Sequence, residues 1–190
     1  MRKSCGIVVG FLIFTVASHA DNIVNIYSDF TCCSGGGAPF SNLVGTIDSP
    51  DVLFLTDNAL NWHPFSLDSF GADILGTFDV ASPGNYTFTL NSDDGSLLFI
   101  DGGLVVDHGG LTPVLVNTTG SVALSAGPHP FEVQFFECCG GDSGVDLYLP
   151  DGVSYGSASV PEPSVVMLLL ISLMVLVWWH NRTASPHQRE

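Results

Sequence analysis

The chain has 190 residues, of which 19 are acidic and only 4 are basic, so its formal net charge is −15. The basic residues all lie near the two ends, at Arg2, Lys3, Arg182 and Arg189. Without a fixed cation between them, the central part of the chain cannot bind nucleic acid electrostatically and has no guanidinium fork for phosphate, sulfate or carboxylate. Its many carboxylates can hold a hard cation through oxygen ligands, or they can simply make an acidic, soluble surface.

The first 20 residues are typical of a secretory signal peptide. The segment 1–20 reads "MRKSCGIVVGFLIFTVASHA", with a basic start, an apolar run and the small residues Ser18 and Ala20 before the expected cleavage position. We therefore expect a signal helix that is removed on export together with Cys5. The alternative is a buried N-terminal strand or helix.

Residues 21–160 have the pattern of one all-β domain. In the first part, "NIVNIYSDF" and "DVLFL" are predicted strands, and "TCCSGGGAPFSN" and "TDNALNWHPFSLDSFGAD" are predicted long loops. Further on, turn-forming residues recur about every ten positions, with short apolar or alternating stretches between them. No helical period is present, so the pattern predicts an antiparallel β-sandwich, jelly-roll-like in type.

Alternation identifies the inward face of the later strands. "SLLFIDGGLVVD" predicts a hairpin around a Gly-Gly turn, "GSVALSAG" and "HPFEVQFFE" predict another strand pair, and "VDLYLP" predicts the closing strand. The residues predicted to face the core are Tyr86, Phe88, Leu90, Phe131, Val133, Phe135, Val145, Leu147 and Leu149.

Four cysteines remain after the signal segment, as the adjacent pairs Cys32-Cys33 and Cys138-Cys139. Export favours disulfides, and four cysteines allow three connectivities. Neighbouring cysteines rarely bridge each other because the small ring strains the peptide, so bridges between the two pairs are favoured. The spacing does not match a zinc site, in which paired cysteines are usually separated by two to four residues.

An ordered series of motifs lies between Gly76 and Leu149. It consists of "NYTFTL", "SDDG", "FIDG", "VVD" and "LSAGPH", in that order. The series resembles the PA14 domain, the β-sandwich module of anthrax protective antigen, bacterial glucosidase inserts and yeast flocculins. The fibro-slime domains of bacterial surface proteins have a similar core. The resemblance implies a binding module, since this domain is accessory where it accompanies catalysis, and we expect no enzymatic activity.

The adjacent carboxylates of Asp93 and Asp94 carry the chemistry that this resemblance implies. Successive side chains on a strand point to opposite faces, so two neighbours can converge on one ion only if the backbone turns sharply, as a cis peptide would allow. In lectin members of the family such a pair holds a Ca²⁺ that coordinates sugar hydroxyls. The alternative is a hairpin turn whose aspartates cap backbone amides.

Calcium takes six to eight oxygen ligands, so a further residue is needed. In the family it comes from the loop that here reads "ECCGGDSG". We predict Asp142 as this ligand and rank Glu137 below it, because Glu137 could simply end the preceding strand. Trp62, in the long loop "NWHPF", could stack on a sugar or could serve in packing, which is the commoner role of a tryptophan.

The last thirty residues, 161–190, form a separate segment. Pro161-Glu162-Pro163 precedes an apolar run at 165–179 that we predict to be a transmembrane helix, and a tail with two arginines follows. This order resembles the PEP-CTERM sorting signal of Gram-negative bacteria, which implies an exosortase as processing partner. The alternative is a permanent C-terminal anchor.

Together these features predict an exported binding module at the cell surface or in the extracellular matrix of a Gram-negative bacterium. It would bind a polysaccharide or glycan through Ca²⁺, would bind no nucleic acid, and would be membrane-anchored by its C-terminal helix until processed. The alternative function is a non-catalytic structural component of the envelope or biofilm matrix.

Overall fold

The computed structural model describes residues 22–112 and 116–156, together with Ser172, Met174 and Leu176. The chain divides into two compact units, Met1–Ser157 and Ala158–Glu190. The first unit contains the whole predicted β domain, apart from its outermost residues at the C-terminal end, and it carries every residue that was singled out for binding.

The terminal segments that were predicted from the sequence fall almost entirely outside the described residues. This applies to the signal helix at 1–20 and to the sorting segment at 161–190, in which only the three residues named above are described, each as helical. Within the described part of the chain, every helix is too short or too polar to cross a membrane. The signal peptide, the membrane helix and the sorting signal stay predictions.

The described fold is built from ten β-strands. In chain order they are β1 Asn22–Asp29, β2 Ser41–Ser49, β3 Phe70–Val80, β4 Gly84–Asp93, β5 Ser96–Ile100, β6 Gly103–His108, β7 Thr118–Leu124, β8 Gly127–Glu137, β9 Gly144–Tyr148 and β10 Val153–Tyr155. All pairs of these strands are antiparallel. The prediction of an all-β, antiparallel fold is therefore confirmed.

Two sheets share these strands. The larger has the order β2-β1-β3-β8-β5-β6, with β10 beside the far end of β3, and the smaller has the order β7-β4-β9. β3 and β8 pair along their whole length, from Phe70 opposite Glu137 to Val80 opposite Gly127. β4 lies in the small sheet and β5 in the large one, so the chain crosses between the layers in the short connection between them.

The inner faces of both sheets meet in one hydrophobic core. Phe88 and Leu90 of the small sheet and Phe131, Val133 and Phe135 of the large sheet are buried in it, as their alternation predicts. The period-2 pattern places every second side chain on one face of a strand, so these two strands each contribute a continuous apolar strip. This burial of apolar surface is the main stabilising term of such a sandwich.

The predicted pairing of "GSVALSAG" with "HPFEVQFFE" is wrong. β7 pairs with β4 in the small sheet, whereas β8 pairs with β3 and β5 in the large sheet. Both segments have an apolar face to bury, and the fold achieves this by placing them in opposite layers rather than side by side. The connection is held by His129, whose ring bonds Asp101 at 2.7 Å and the Ser125 carbonyl at 3.0 Å.

The segment "DVLFL" is not a strand, as had been predicted. Leu53 makes only an isolated bridge to Asp146, and the rest of the segment forms turns. Val52, Phe54 and Leu55 are nevertheless buried. The Asp146 carboxylate accepts the backbone N–H of Leu55 at 2.9 Å and of Thr56 at 3.4 Å and so holds the loop against the core. Strands β2, β3 and β10, by contrast, were not predicted, and the first four residues of β3 lie in "TDNALNWHPFSLDSFGAD", which was wrongly predicted to be all loop.

The hairpin of β5 and β6 is confirmed, with its turn one residue earlier than predicted. Asp101 and Gly102 occupy the turn, with φ of 51° and 77°, and Gly103 already begins β6. Positive φ at both central residues is the type I′ arrangement, which matches the twist of the flanking strands and favours Asp-Gly.

A carboxyl group on β3 makes the domain sensitive to pH. Burial, followed by the charge of Glu132, raises the pKa of Asp73 from its ordinary 3.8 to about 6. The folded protein therefore binds more protons than the unfolded chain between about pH 4 and pH 6, and its stability falls as pH rises through that window. We expect Asp73→Asn to raise the free energy of unfolding at pH 7.5 by about 1 kcal/mol, after discounting for solvent screening.

Denaturant unfolding at pH 7.5 and at pH 4 measures this effect, and the gain should largely disappear at the lower pH. Asp79→Asn, an exposed change on the same strand, is the matched control and should stay within about 0.5 kcal/mol of the wild type. An equal gain at both pH values would contradict the assignment.

Candidate metal centre

The two adjacent aspartates lie where the chain crosses from the small sheet to the large one. Asp93 is the last residue of β4, and β5 begins at Ser96, so only Asp94 and Gly95 make the crossing. The Asp93–Asp94 peptide bond is cis, the linkage that the sequence suggested for two convergent carboxylates. The crossing thus brings both side chains to one end of the sandwich.

Gly95 is required by the close packing around this crossing. A Cβ atom at this position would lie 2.5 Å from Cε1 of Phe136, 2.6 Å from the carbonyl oxygen of Gly110 and 2.7 Å from that of Gly35. Real Cβ atoms do not approach other atoms so closely, and two of these neighbours are backbone. The Gly95 carbonyl also accepts the N–H of Phe136 at 3.0 Å, which joins the crossing to β8.

Glu137, the last residue of β8, completes a cluster with the two aspartates. One carboxylate oxygen from each of Asp93, Asp94 and Glu137 lies within 4.8 Å of the others. The long pairing of β8 with β3 carries Glu137 to the same end of the sandwich as the crossing. Three carboxylates therefore meet at one point, in a domain whose sequence contains no Lys or Arg between Lys3 and Arg182.

The carboxylate of Glu137 is buried, and only one of its two oxygens has a hydrogen-bond partner among the described residues. The residue is 1% exposed. Its Oε1 accepts the backbone N–H of Cys139 at 2.9 Å and of Gly140 at 2.8 Å, whereas Oε2 has no hydrogen-bond partner among the described residues. Burial is the main cause that raises the pKa of Glu137 to about 7, and the charges of Asp94 and Asp93 add to it. A buried oxygen without a hydrogen-bond partner lowers the stability of the fold, so its presence in a native structure needs an explanation.

Asp94 is held by bonds to both its side chain and its backbone. It is 7% exposed, and its Oδ2 accepts the N–H of Cys138 at 3.1 Å. Its carbonyl accepts the hydroxyls of Ser92 at 2.6 Å and Thr112 at 2.7 Å. Burial raises the pKa of the Asp94 carboxyl, and the bond from Cys138 opposes that rise. These contacts fix the direction in which the carboxylate points.

The spacing of the cluster fits a single oxygen-coordinated cation. Calcium binds oxygen at about 2.3–2.6 Å, so two ligand oxygens on opposite sides of one ion are at most about 5 Å apart. One oxygen from each of the three carboxylates lies within 4.8 Å of the others, which is inside that limit. Without a cation, each ionised pair repels by about 3 kcal/mol at this distance and an effective dielectric constant of about 20. A divalent ion would cancel this repulsion and give the free oxygen of Glu137 a partner.

Asp142, predicted as the third ligand, is exposed and is not part of this cluster. The structure brings Glu137 into that place instead. A sequence signal for this was present, because Phe131, Val133 and Phe135 face the core and Glu137 continues the same alternation. A carboxylate at an inward position of a buried strand is unusual unless it is paired or binds a metal.

The expectation that Trp62 could stack on a sugar is corrected by its burial. The residue is 5% exposed, its ring stacks on Phe54 with centroids 4.1 Å apart, and it meets Phe70 edge-on at 5.2 Å. The indole therefore presents no free face to solvent. It packs in the core, anchoring the long loop between β2 and β3.

The loop between β1 and β2 covers one side of the site and is tied to the loop that follows β8. Cys32 and Cys138 form a disulfide, which confirms the predicted bridge between the two pairs. Gly36 and Gly37 lie so close to β8 that a Cβ on either would fall 2.6 Å from Gln134 Cβ or 2.7 Å from Phe136 Cβ. The glycine run of "CCSGGG" is thus needed for the loop to lie flat on the sheet.

The PA14 domain family model matches residues 31–159. The chain belongs to the PA14 domain family. The match spans β2 to β10, the three clustered carboxylates and the disulfide, whereas β1 precedes it. Among curated proteins, none matches the chain in sequence.

Solved structures share the fold of this PA14 domain at low sequence identity. They include the PA14 domain of the antifreeze protein MpAFP, with 15% identity, a TM-score of 0.53 and coverage of 78% of this chain and 92% of that one. The PA14 sugar-binding domain from an RTX adhesin has 14% identity, a TM-score of 0.51 and coverage of 74% and 95%.

An anti-sigma factor domain-containing protein from Clostridium clariflavum is also similar, with 20% identity and a TM-score of 0.56. The match covers 74% of this chain but 43% of the Clostridium protein, so the chain spans less than half the length of that relative. At these identities the likeness shows the fold alone.

The buried charge in the PA14 domain leads to a stability prediction. Because burial raises the pKa of Glu137 from 4.5 to about 7, the stability of the metal-free protein falls as pH rises through that window and stays lowered above it. In the presence of a chelator at pH 8, we expect Glu137→Gln to raise the melting temperature by a few degrees. Thermal unfolding followed by circular dichroism measures this.

Asp142→Asn is the control, since it removes a charge from the loop that follows Glu137, at an exposed position. It should leave the melting temperature within about a degree of the wild type. A melting temperature of Glu137→Gln below that of the wild type in chelator at pH 8 would contradict the account of the buried charge.

Proposed function

We propose that this PA14 domain binds Ca²⁺ through Asp93, Asp94 and Glu137 and uses the ion to bind carbohydrate. The observation that carries the proposal is the buried Glu137 carboxylate, whose Oε2 has no hydrogen-bond partner in the described part of the chain and lies beside two other carboxylates. A divalent cation would give that oxygen a partner and would balance the three negative charges.

The ligand chemistry favours calcium over softer metals. All three side chains offer oxygen, which is the donor that Ca²⁺ and Mg²⁺ prefer. Three separate carboxylates are more than the one or two that Mg²⁺ usually takes. The neighbouring sulfurs of Cys32 and Cys138 are in a disulfide and offer no thiolate to zinc or copper.

Carbohydrate is the ligand class that the arrangement supports best. A calcium ion held by three side chains keeps coordination positions for further oxygens, and neighbouring sugar hydroxyls could fill them. An RTX adhesin contains a PA14 domain described as sugar-binding. The acidic surroundings and the lack of Lys and Arg give the domain no permanently cationic side chain for pairing with an anionic ligand, so a hydroxyl-rich neutral ligand suits it.

An exported, non-catalytic role fits the rest of the chain. The disulfide Cys32–Cys138 is typical of oxidising compartments, and the sequence at 1–20 has the features of a signal peptide. We propose that the protein reaches the cell surface or extracellular matrix and functions there in adhesion, with an exosortase-type enzyme acting on the segment 161–190.

Calcium titration of the chelator-treated protein tests the metal site. We expect one Ca²⁺ per chain by calorimetry, and at least a tenfold loss of affinity for Asp94→Asn and for Glu137→Gln. Asp142→Asn, exposed and outside the cluster, should bind within twofold of the wild type. No heat of binding in the wild type, or an equal loss in all three variants, would contradict the site.

A glycan array with and without chelator tests the ligand. We expect binding to neutral glycans in calcium, lost in chelator and in the Glu137→Gln variant. If the protein binds calcium but no glycan in either condition, a structural component of the envelope or matrix, stabilised by its ion, replaces the lectin proposal.

A further inference from the structure

We propose that Cys33 and Cys139 form a second disulfide beside Cys32–Cys138. This second bridge would clamp the loop after β8, whose backbone N–H groups hold the metal ligands in place. Both residues are exposed thiols, and neither is bridged to another described residue. Each directly follows a cysteine of the existing bridge. The structure therefore places two free thiols next to a disulfide that already holds their two chain segments together.

Three of the four sulfur atoms form one close group. The sulfurs of Cys32 and Cys33 are 3.0 Å apart, and those of Cys32, Cys33 and Cys138 all lie within 4.8 Å of one another. Cys139 directly follows Cys138, whose Cα atom is 5.7 Å from that of Cys32. The existing bridge therefore holds the segments that carry Cys33 and Cys139 beside each other.

The backbone N–H groups of Cys138 and Cys139 hold the proposed metal ligands in place. The N–H of Cys138 bonds Asp94 Oδ2 at 3.1 Å, and the N–H of Cys139 bonds Glu137 Oε1 at 2.9 Å. In the loop between β1 and β2, the carbonyl of Gly35 accepts the N–H of Gly110 at 3.3 Å. A second bridge would fix Cys139 as the first fixes Cys138, so both amides that position carboxylates would be held against the loop between β1 and β2.

The bond forms by ordinary thiol–disulfide exchange with an oxidised small-molecule disulfide, such as oxidised glutathione. The Cys33 thiolate attacks one glutathione sulfur, which breaks the glutathione disulfide and releases one reduced glutathione. The Cys139 thiolate then attacks the Cys33 sulfur and releases the second. The two protein thiols lose two electrons and two protons in total, and two molecules of reduced glutathione carry them away.

Counting thiols tests the bridge. The full chain carrying Cys5→Ser is equilibrated with oxidised glutathione, unfolded in N-ethylmaleimide and weighed by mass spectrometry. We expect no maleimide adduct and no bound glutathione. Two maleimide adducts, or glutathione retained on the protein, would overturn the proposal. In the same background, Cys32→Ser with Cys138→Ser should also give no adduct, which would assign the bond to Cys33 and Cys139.

Two further measurements test the clamp, and the control for both is Cys33→Ser with Cys139→Ser, which keeps only the first bridge. Hydrogen exchange of the amides at 138–140 should be at least threefold slower in the oxidised protein than in this control, and equal rates would overturn the clamp. The link to the metal rests on the proposed function. We expect calcium affinity at least threefold higher in the oxidised protein, and equal affinities would overturn that link.

These readouts separate the two ideas. If no form of the protein binds calcium, the proposed function fails, whereas the thiol count and the amide exchange still decide whether the second bridge exists and whether it holds the loop.

Discussion

The eleven-residue pairing of β3 with β8 determines where the chemistry of this domain can lie. It fixes β8 in the centre of the large sheet, and so places Glu137 at one end of the sandwich. β5 pairs with the same strand, which brings the crossing from β4 to that end as well. Because backbone bonds position both segments, three carboxylates meet although they are far apart in sequence and repel one another.

The sequence predicted the strands that alternate and missed those whose pattern is ambiguous. Phe88, Leu90 and the inward residues of β8 were assigned correctly because one face of each strand is buried and the period-2 signal is clean. β7 and β8 were wrongly paired because alternation identifies which face is buried but not which layer a strand joins. "DVLFL" looks like a strand because it is apolar, but its burial comes from a loop tied to Asp146.

Two of the three clustered carboxylates, Asp93 and Asp94, were singled out from the sequence. Adjacent aspartates in "SDDG" are conspicuous because neighbouring carboxylates repel, and their position at a turn is visible from the flanking strands. The third member was missed because Asp142 lies in a loop, where ligands are expected, whereas Glu137 ends a strand. Glu137 lies two residues beyond Phe135, on the same inward-facing side of the strand, and this position was the stronger signal. For Trp62 the sequence left sugar stacking and packing open, with packing as the commoner role, and its burial shows that it packs.

The missing lysines and arginines have a consequence for how proteases can degrade the protein. Exposed loops are the places where proteases nick folded domains, and here the long loops after β1 and β2 offer such targets. Trypsin-like proteases recognise a basic side chain at the cleaved bond, and none is present from residue 4 to residue 181. The domain is thus inherently resistant to this entire class of secreted hydrolases, whether folded or unfolded, and only enzymes with other specificities can degrade it.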